Sequence, residues 1–330
     1  MATERKRAIR SAAGWVANQA AMEALYGVGN YYTTLSAWEA AEQADLVAID
    51  EIRTAVCYRD WPAGLNDPLI LDGWVSDATR YPRVTVAEAH RHGGVPNAGF
   101  WVNRSVDYDG PVSIRQAYSQ VEWIEARNTS TSGIPVTASN AKIINCIGRS
   151  GWFPNAAFSV SGANGLYVQC LAYSSGRGFV CADWTTSTLV GCVSANHQTH
   201  GYMSGGGSSI TLKNCISYGN GEQAYQGGSW NAASTNNATS SATDDAPGGN
   251  SVVGVTAASF VDSAANDMHL AAGSPLIGAG VNLYAQITHD IDGDAWPSSG
   301  AWDIGFDHYV SGGGGTEQPI SAAGTAQATG

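Results

Sequence analysis

Between Asn145 and Gln226 the apolar positions recur once every twenty-odd residues rather than at helical spacing. Cys146, Cys170, Cys192 and Cys215 stand 24, 22 and 23 residues apart. Phe158, Phe179, Tyr202 and Tyr225 keep step with them at intervals of 21, 23 and 23. Each cysteine is followed by an aliphatic residue (Ile147, Leu171, Val193, Ile216) and preceded three positions earlier by an apolar one (Ile143, Tyr167, Leu189, Leu212). A repeat of this length with no 3.6-residue period inside it predicts a solenoid of stacked strands, all-β, with about 22–24 residues per coil.

The flanks carry other patterns. Residues 4–26 read as an amphipathic helix with Ile9, Ala13, Val16 and Ala20 on one face, ended by Gly27 and Gly29. This sets residues 1–30 apart as a helical or attachment segment. A second helix is expected at about 35–44, capped by Thr34 or by a Ser36/Glu39 capping box, where it would cover the open end of the first coil. Strands follow at 46–49, 52–57, 68–73, 83–87 and 99–102. Trp101 and Trp123, 22 residues apart with Trp123 a further 23 before Cys146, place two indoles in the column the thiols occupy later. Residues 228–250 read as a long loop or degenerate coil, and 311–330 as a glycine-rich tail that builds no core.

Composition narrows the partners. Charged residues are only 13% of the chain and glycine numbers 40, which suits short strands and tight turns. A net charge of −12 argues against a nucleic-acid partner or an anionic membrane surface, each of which calls for a basic face. The apolar stretch after Arg5, Lys6, Arg7 and Arg10 is broken by Asn18, Gln19 and Glu23, so neither a signal peptide nor a membrane span is predicted. Cysteines one coil apart stand about 4.8 Å from each other, wider than the roughly 3.8 Å between the Cβ atoms of a disulfide. They are expected as a buried thiol ladder.

The C-terminal region carries a more specific signal. Asp267-Met268-His269-Leu270, Gly273-Ser274-Pro275 and Ala279-Gly280 are followed by Asp290-Ile291-Asp292-Gly293 and by Asp303-Ile304-Gly305. This series resembles the C-terminal block of right-handed parallel β-helix proteins of the pectate-lyase-like group, the choice-of-anchor Q type among them. Tyr32 to Trp38 is similar, more loosely, to the start of the same group. Met268 and Phe306 to Tyr309 depart from the pattern. The resemblance implies a right-handed parallel β-helix over 31–310 with a capping block at 266–310. The group contains secreted enzymes, surface proteins and virion appendages, so it implies no single function.

Asp183 would serve as an acid or base, but its counterparts Gly162, Gly206 and Ser229 offer no second carboxylate. Arg177, His197 and His200 complete the catalytic candidates. Asn145, Gln169, Gly191 and Asn214 predict an amide ladder at one corner. Asp290, Asp292 and Asp294 resemble the start of a calcium loop, although the twelfth position is Ala301, so Ca²⁺ is the one cofactor to test. Trp61, Trp74, Trp184 and Trp230 fall in or near turns and are candidates for glycan or partner contact. Trp184 and Trp230, each five residues after an aromatic-column member, are expected on one side of the shaft, two coils apart.

These readings predict a structural virion-type protein, such as a decoration, head-fibre or tail-spike subunit. Its terminal segments would attach it to other virion proteins, with self-association as a homotrimer. A polysaccharide lyase or glycoside hydrolase, at a virion or cell surface, and a non-catalytic carbohydrate-binding β-helix are the alternatives.

Overall fold

A computed structural model describes residues 2–104, 110–128, 130–151, 153–228 and 230–311; most of the glycine-rich tail lies outside the described residues. Each regular coil contributes one short strand to each of three parallel sheets. In the coil that opens at Lys142–Ile144 in sheet A, the chain continues through Ile147–Arg149 in sheet B and Ala156–Val160 in sheet C. It then returns to sheet A at Gly165–Val168, paired in register with the strand it left. Sheet A has nine strands, and sheets B and C seven each. The chain is a parallel β-helix.

The two columns read from the sequence run through its core. Phe158, Phe179, Tyr202 and Tyr225 stack with centroids 4.6, 5.2 and 5.1 Å apart and rings within 10° of parallel. The phenol oxygens of the two tyrosines would be orphaned in an apolar interior. Tyr202 reaches the Cys192 carbonyl at 2.7 Å and Tyr225 that of Ala238 at 2.9 Å. All six cysteines are free and buried. Those of the column donate to a carbonyl of the preceding coil, as Cys170 Sγ does to Ile143 O at 3.4 Å. Burial pushes the Cys146 and Cys181 thiols up to about 12 and the Cys192 and Cys215 thiols well above the usual range.

The indoles do not extend this column. Ile147 pairs with Glu125 and Glu125 with Trp101, so the positions opposite Cys146 are Ile124 and then Phe100, both buried. Trp123 is displaced by one residue into the corner between sheets A and B, where it adopts φ +63°. Trp101 is half-buried, with the Arg127 guanidinium 3.8 Å from its ring.

That corner is a single left-handed residue per coil: Asn145, Gln169, Gly191, Asn214 and Asn236 have φ between +50° and +60°. Asparagine and glycine tolerate this conformation best. The amides are expected to satisfy the backbone of their own turns; those of Gln169, Asn214 and Asn236 satisfy backbone elsewhere. The side chains bind a different partner, because the C-terminal block folds back along the corner. Gln169 Nε2 donates to Phe306 O at 3.4 Å and Asn236 Nδ2 to Ala279 O at 2.8 Å. Asn214 exchanges two 2.9 Å bonds with the backbone of Val281. Gly191 completes the row because a Cβ there would come 2.8 Å from Gly305 O. The block also lays Leu283, Ile287, Trp296 and Trp302 over Val168 and Val190 on the outer face of sheet A.

The N-terminal segment differs from expectation. Residues 4–26 are not one helix: Thr3–Ile9 is a strand paired residue for residue with Glu51–Cys57. Seven waiting backbone partners outweigh a weak helical pattern. Two short helices follow, Ala12–Ala17 and Gln19–Tyr26, which bury Trp15 and Met22 while Val16 is exposed. The first thirty residues are thus built into the shaft. The capping helix is Leu35–Glu42 with Thr34 as its N-cap, and Ser36 bonds Asp67 instead. Residues 46–49, expected as a strand, form a single helical turn capped by Asp45.

Candidate binding groove on sheet A

Strands Gly165–Val168, Thr186–Val190 and Ser209–Lys213 alternate as half-buried strands must. Tyr167, Leu189 and Leu212 point into the core. On the outer face Leu166, Thr188 and Thr211 form one row across the coils, and Thr186 and Ser209 a second. Gln286, from the returned C-terminal block, walls one side. The result is a groove of about 500 Å³ whose lining residues, Asn164, Asn231 and Gln286 among them, carry no charge. Part of the lining is organised internally: Thr186 Oγ1 bonds Asn164 Oδ1 at 3.0 Å, and Asn231 Nδ2 donates to Ser209 Oγ at 2.8 Å. Thr188 and Thr211 are partly exposed and their hydroxyls make no hydrogen bond to a described residue, so both are open to a ligand.

Trp184 stands two residues before Thr186, in the turn that delivers the chain from sheet C to sheet A. It is 82% exposed and holds φ +62°. Its ring overlies Gly207 of the next coil, where a Cβ would come 2.5 Å from it. A large flat apolar face therefore stands in water at the turn that leads into the Thr186–Ser209 row.

The other three tryptophan candidates have structural work. Trp74 is buried, tilted against Trp38, and donates Nε1–H to Glu39 at 3.0 Å. Trp61 is half-buried, edge-on to Phe100. Trp230 does not share a column with Trp184. It pairs with Ile210, itself opposite Ser187, and packs edge-on against Tyr225 at the end of the core. Unequal turn lengths between the aromatic column and sheet A defeat the five-residue spacing.

The catalytic candidates separate into two places. Asp183 lies in the same turn as Trp184, exposed, its Oδ1 accepting the Gly206 N–H at 2.7 Å. Arg177 begins the strand Arg177–Cys181 at the opposite end, its guanidinium 4.6 Å from the Phe153 ring centre. His200 falls one coil beyond Arg177, given the pairing of Phe179 with Tyr202, and its Nε2 is 3.2 Å from Glu222. Burial lowers its pKa, Arg177 adds to that, and Glu222 opposes it. His197 is buried and neutral: its Nδ1 accepts the Ser175 N–H at 3.2 Å, and burial holds its pKa at about 3. Arg177 and His200 thus share an edge, with His197 buried against the neighbouring Gly178, while Asp183 lies at the other end of the strand.

The calcium candidates also part. Asp290 is buried and spends both oxygens on the turn, accepting from the N–H groups of Asp292 (2.9 Å), Asp294 (2.8 Å) and His308 (3.1 Å). Asp292 faces His269 and Asp307 instead, in a group whose ligand atoms lie within 4.8 Å of one another. Asp294 is not part of it. In the sequence His269 stands only as a motif residue and Asp307 only in the segment that departs from the motif, because nothing in their spacing shows that the block returns on itself.

No family model matches the chain, and no curated protein matches it. Among solved structures it is similar to one described as pectate lyase Pel9A, with a TM-score of 0.46 and 14% identity over 83% of this chain and 90% of that one. The choice-of-anchor likeness therefore rests on the motif residues alone.

Proposed function

We propose that this chain is a non-catalytic carbohydrate-binding β-helix that holds a neutral glycan along the outer face of sheet A. Trp184 carries the reading. An exposed indole in the turn two residues before Thr186, together with the hydroxyls and amides of the groove, offers the two elements a sugar ring uses, an apolar face to stack on and polar groups to bond its hydroxyls. The absence of charge from the groove lining, in a chain of net charge −12, favours neutral over acidic polymers. A virion appendage or a surface protein that recognises glycans is a natural setting for such a shaft.

The lyase alternative keeps one supporting observation, the closeness of Arg177 and His200 on the sheet C edge. A glycan array carrying neutral and uronic-acid oligosaccharides distinguishes the two. The proposal expects binding to neutral glycans with a change in tryptophan fluorescence, and a loss of roughly tenfold in affinity in Trp184→Ala, as for a truncated aromatic anchor. Recognition of uronates only, or release of unsaturated products from them, would establish the alternative.

A further inference from the structure

The C-terminal block gathers more negative charge than its neighbours balance. Asp290, Asp303 and Asp307 are buried, and Asp267 and Asp292 lie beside them. Much of this is satisfied by backbone. Asp303 accepts from Gly278 N and Tyr309 N and contacts His308, and Asp307 Oδ2 accepts from Leu270 N at 2.7 Å. His269 is arranged differently. Its Nδ1 is held by Asp267 Oδ1 at 2.6 Å, which fixes the ring and turns Nε2 toward Asp292 and Asp307. Phe306 packs edge-on against the ring, and Gly94 closes its other side.

Nε2 is buried and has no hydrogen-bond partner, yet Asp292 Oδ2 is only 3.3 Å away. A charge-assisted N–H···O bond would be shorter, about 2.7–2.9 Å, and aligned. Two carboxylates around Nε2 call for a positive charge there, which a proton or a bound cation would supply. The edge of a tetrahedron with bonds of about 2.1 Å to nitrogen and oxygen is about 3.4 Å, close to the separation seen. The carboxylate that orients the other imidazole nitrogen is the arrangement that supports a metal-bound histidine.

We propose that His269, Asp292 and Asp307 bind one divalent transition ion of the zinc type, and that the ion staples the returning block to the strand Asp267–Leu270. One nitrogen and two carboxylates suit such an ion better than Ca²⁺, which takes six to eight oxygens. The ligands come from three separate segments, so the ion ties together the strand, the turn shaped by Asp290 and the final segment.

The test uses the full chain, dialysed against EDTA and titrated with Zn²⁺ and with Co²⁺ alone. One ion per chain is expected, with a rise in thermal midpoint and a tetrahedral Co²⁺ absorption band. Asp267→Asn should weaken binding by about 10–100-fold, Asp307→Asn should abolish the Co²⁺ band, and Asp294→Ala should change neither. Failure to bind one equivalent, or binding that survives His269→Ala, overturns the proposal. So does a clasp that tightens on acidification but ignores metal and EDTA, which would identify a protonated His269 as the bridge. If His269→Ala does not fold, Asp267→Asn and Asp307→Asn decide the matter.

Discussion

Asn214→Ala tests how the C-terminal block is held. The side chain is buried and makes two 2.9 Å bonds with Val281, while its backbone carbonyl accepts the Gly305 N–H at the same distance. Removing the amide leaves the Val281 N–H and C=O without partners. Since Val281 is only half-buried, each should cost about 1 kcal/mol, the low end for an orphaned group. Alanine at φ +54° adds about 1 kcal/mol of backbone strain. The sum is about 3 kcal/mol, and Asn214→Gly, which escapes the strain, should lose about 2. Urea melts of the three proteins give the totals. Amide exchange gives the location: the Gly305 N–H, whose own acceptor is retained, should exchange up to about a hundredfold faster as the block lifts. If Asn214→Ala melts within about 0.5 kcal/mol of the parent, or if Gly305 exchange is unchanged, the corner amides are not what holds the block.

Two further outcomes follow from buried groups. His197 is held neutral with its pKa at about 3 against an ordinary 6.5, so the unfolded chain takes up the proton first as pH falls. The associated stability is present above about pH 6.5 and is lost progressively toward pH 3, by about 2 kcal/mol at pH 5. His197→Gln, which keeps an acceptor for Ser175, should flatten that limb of a pH–stability curve, and an unchanged slope would contradict the assignment. The six buried thiols should resist a thiol reagent in the folded chain and react in full after unfolding. Rapid labelling of Cys170 or Cys192 in the native state would show that the core is not closed.

The columns were legible because stacking forces a strict period on inward residues. Phe158, Phe179, Tyr202 and Tyr225 cannot drift by one position without turning from core to solvent. Where the indole column failed, the reason is that one left-handed residue separates two sheets, and an offset of one is invisible to spacing: Trp123 stands at the corner and Ile124 in the core. The groove was harder to see. Thr186, Thr188, Ser209 and Thr211 recur at intervals of 23, but outward hydroxyls on a strand read as ordinary solvated positions. Gln286 was beyond reach altogether, since its place depends on the block reversing along the shaft. The same reversal turns a supposed amide ladder into a clasp and brings His269 to Asp292. The turn position that marks Trp184 marks Trp61, Trp74 and Trp230 as well, so the sequence does not tell the exposed indole from the packed ones.

The most direct measurement compares two charge insertions on two faces. Thr188→Lys/Thr211→Lys fills the sheet A groove, while Met203→Lys places the same group on the partly exposed outer face of sheet C. Calorimetry with the best neutral oligosaccharide should show binding abolished in the first variant and unchanged in the second. Undiminished binding in the first, with loss in the second, would contradict the account and move the site to sheet C.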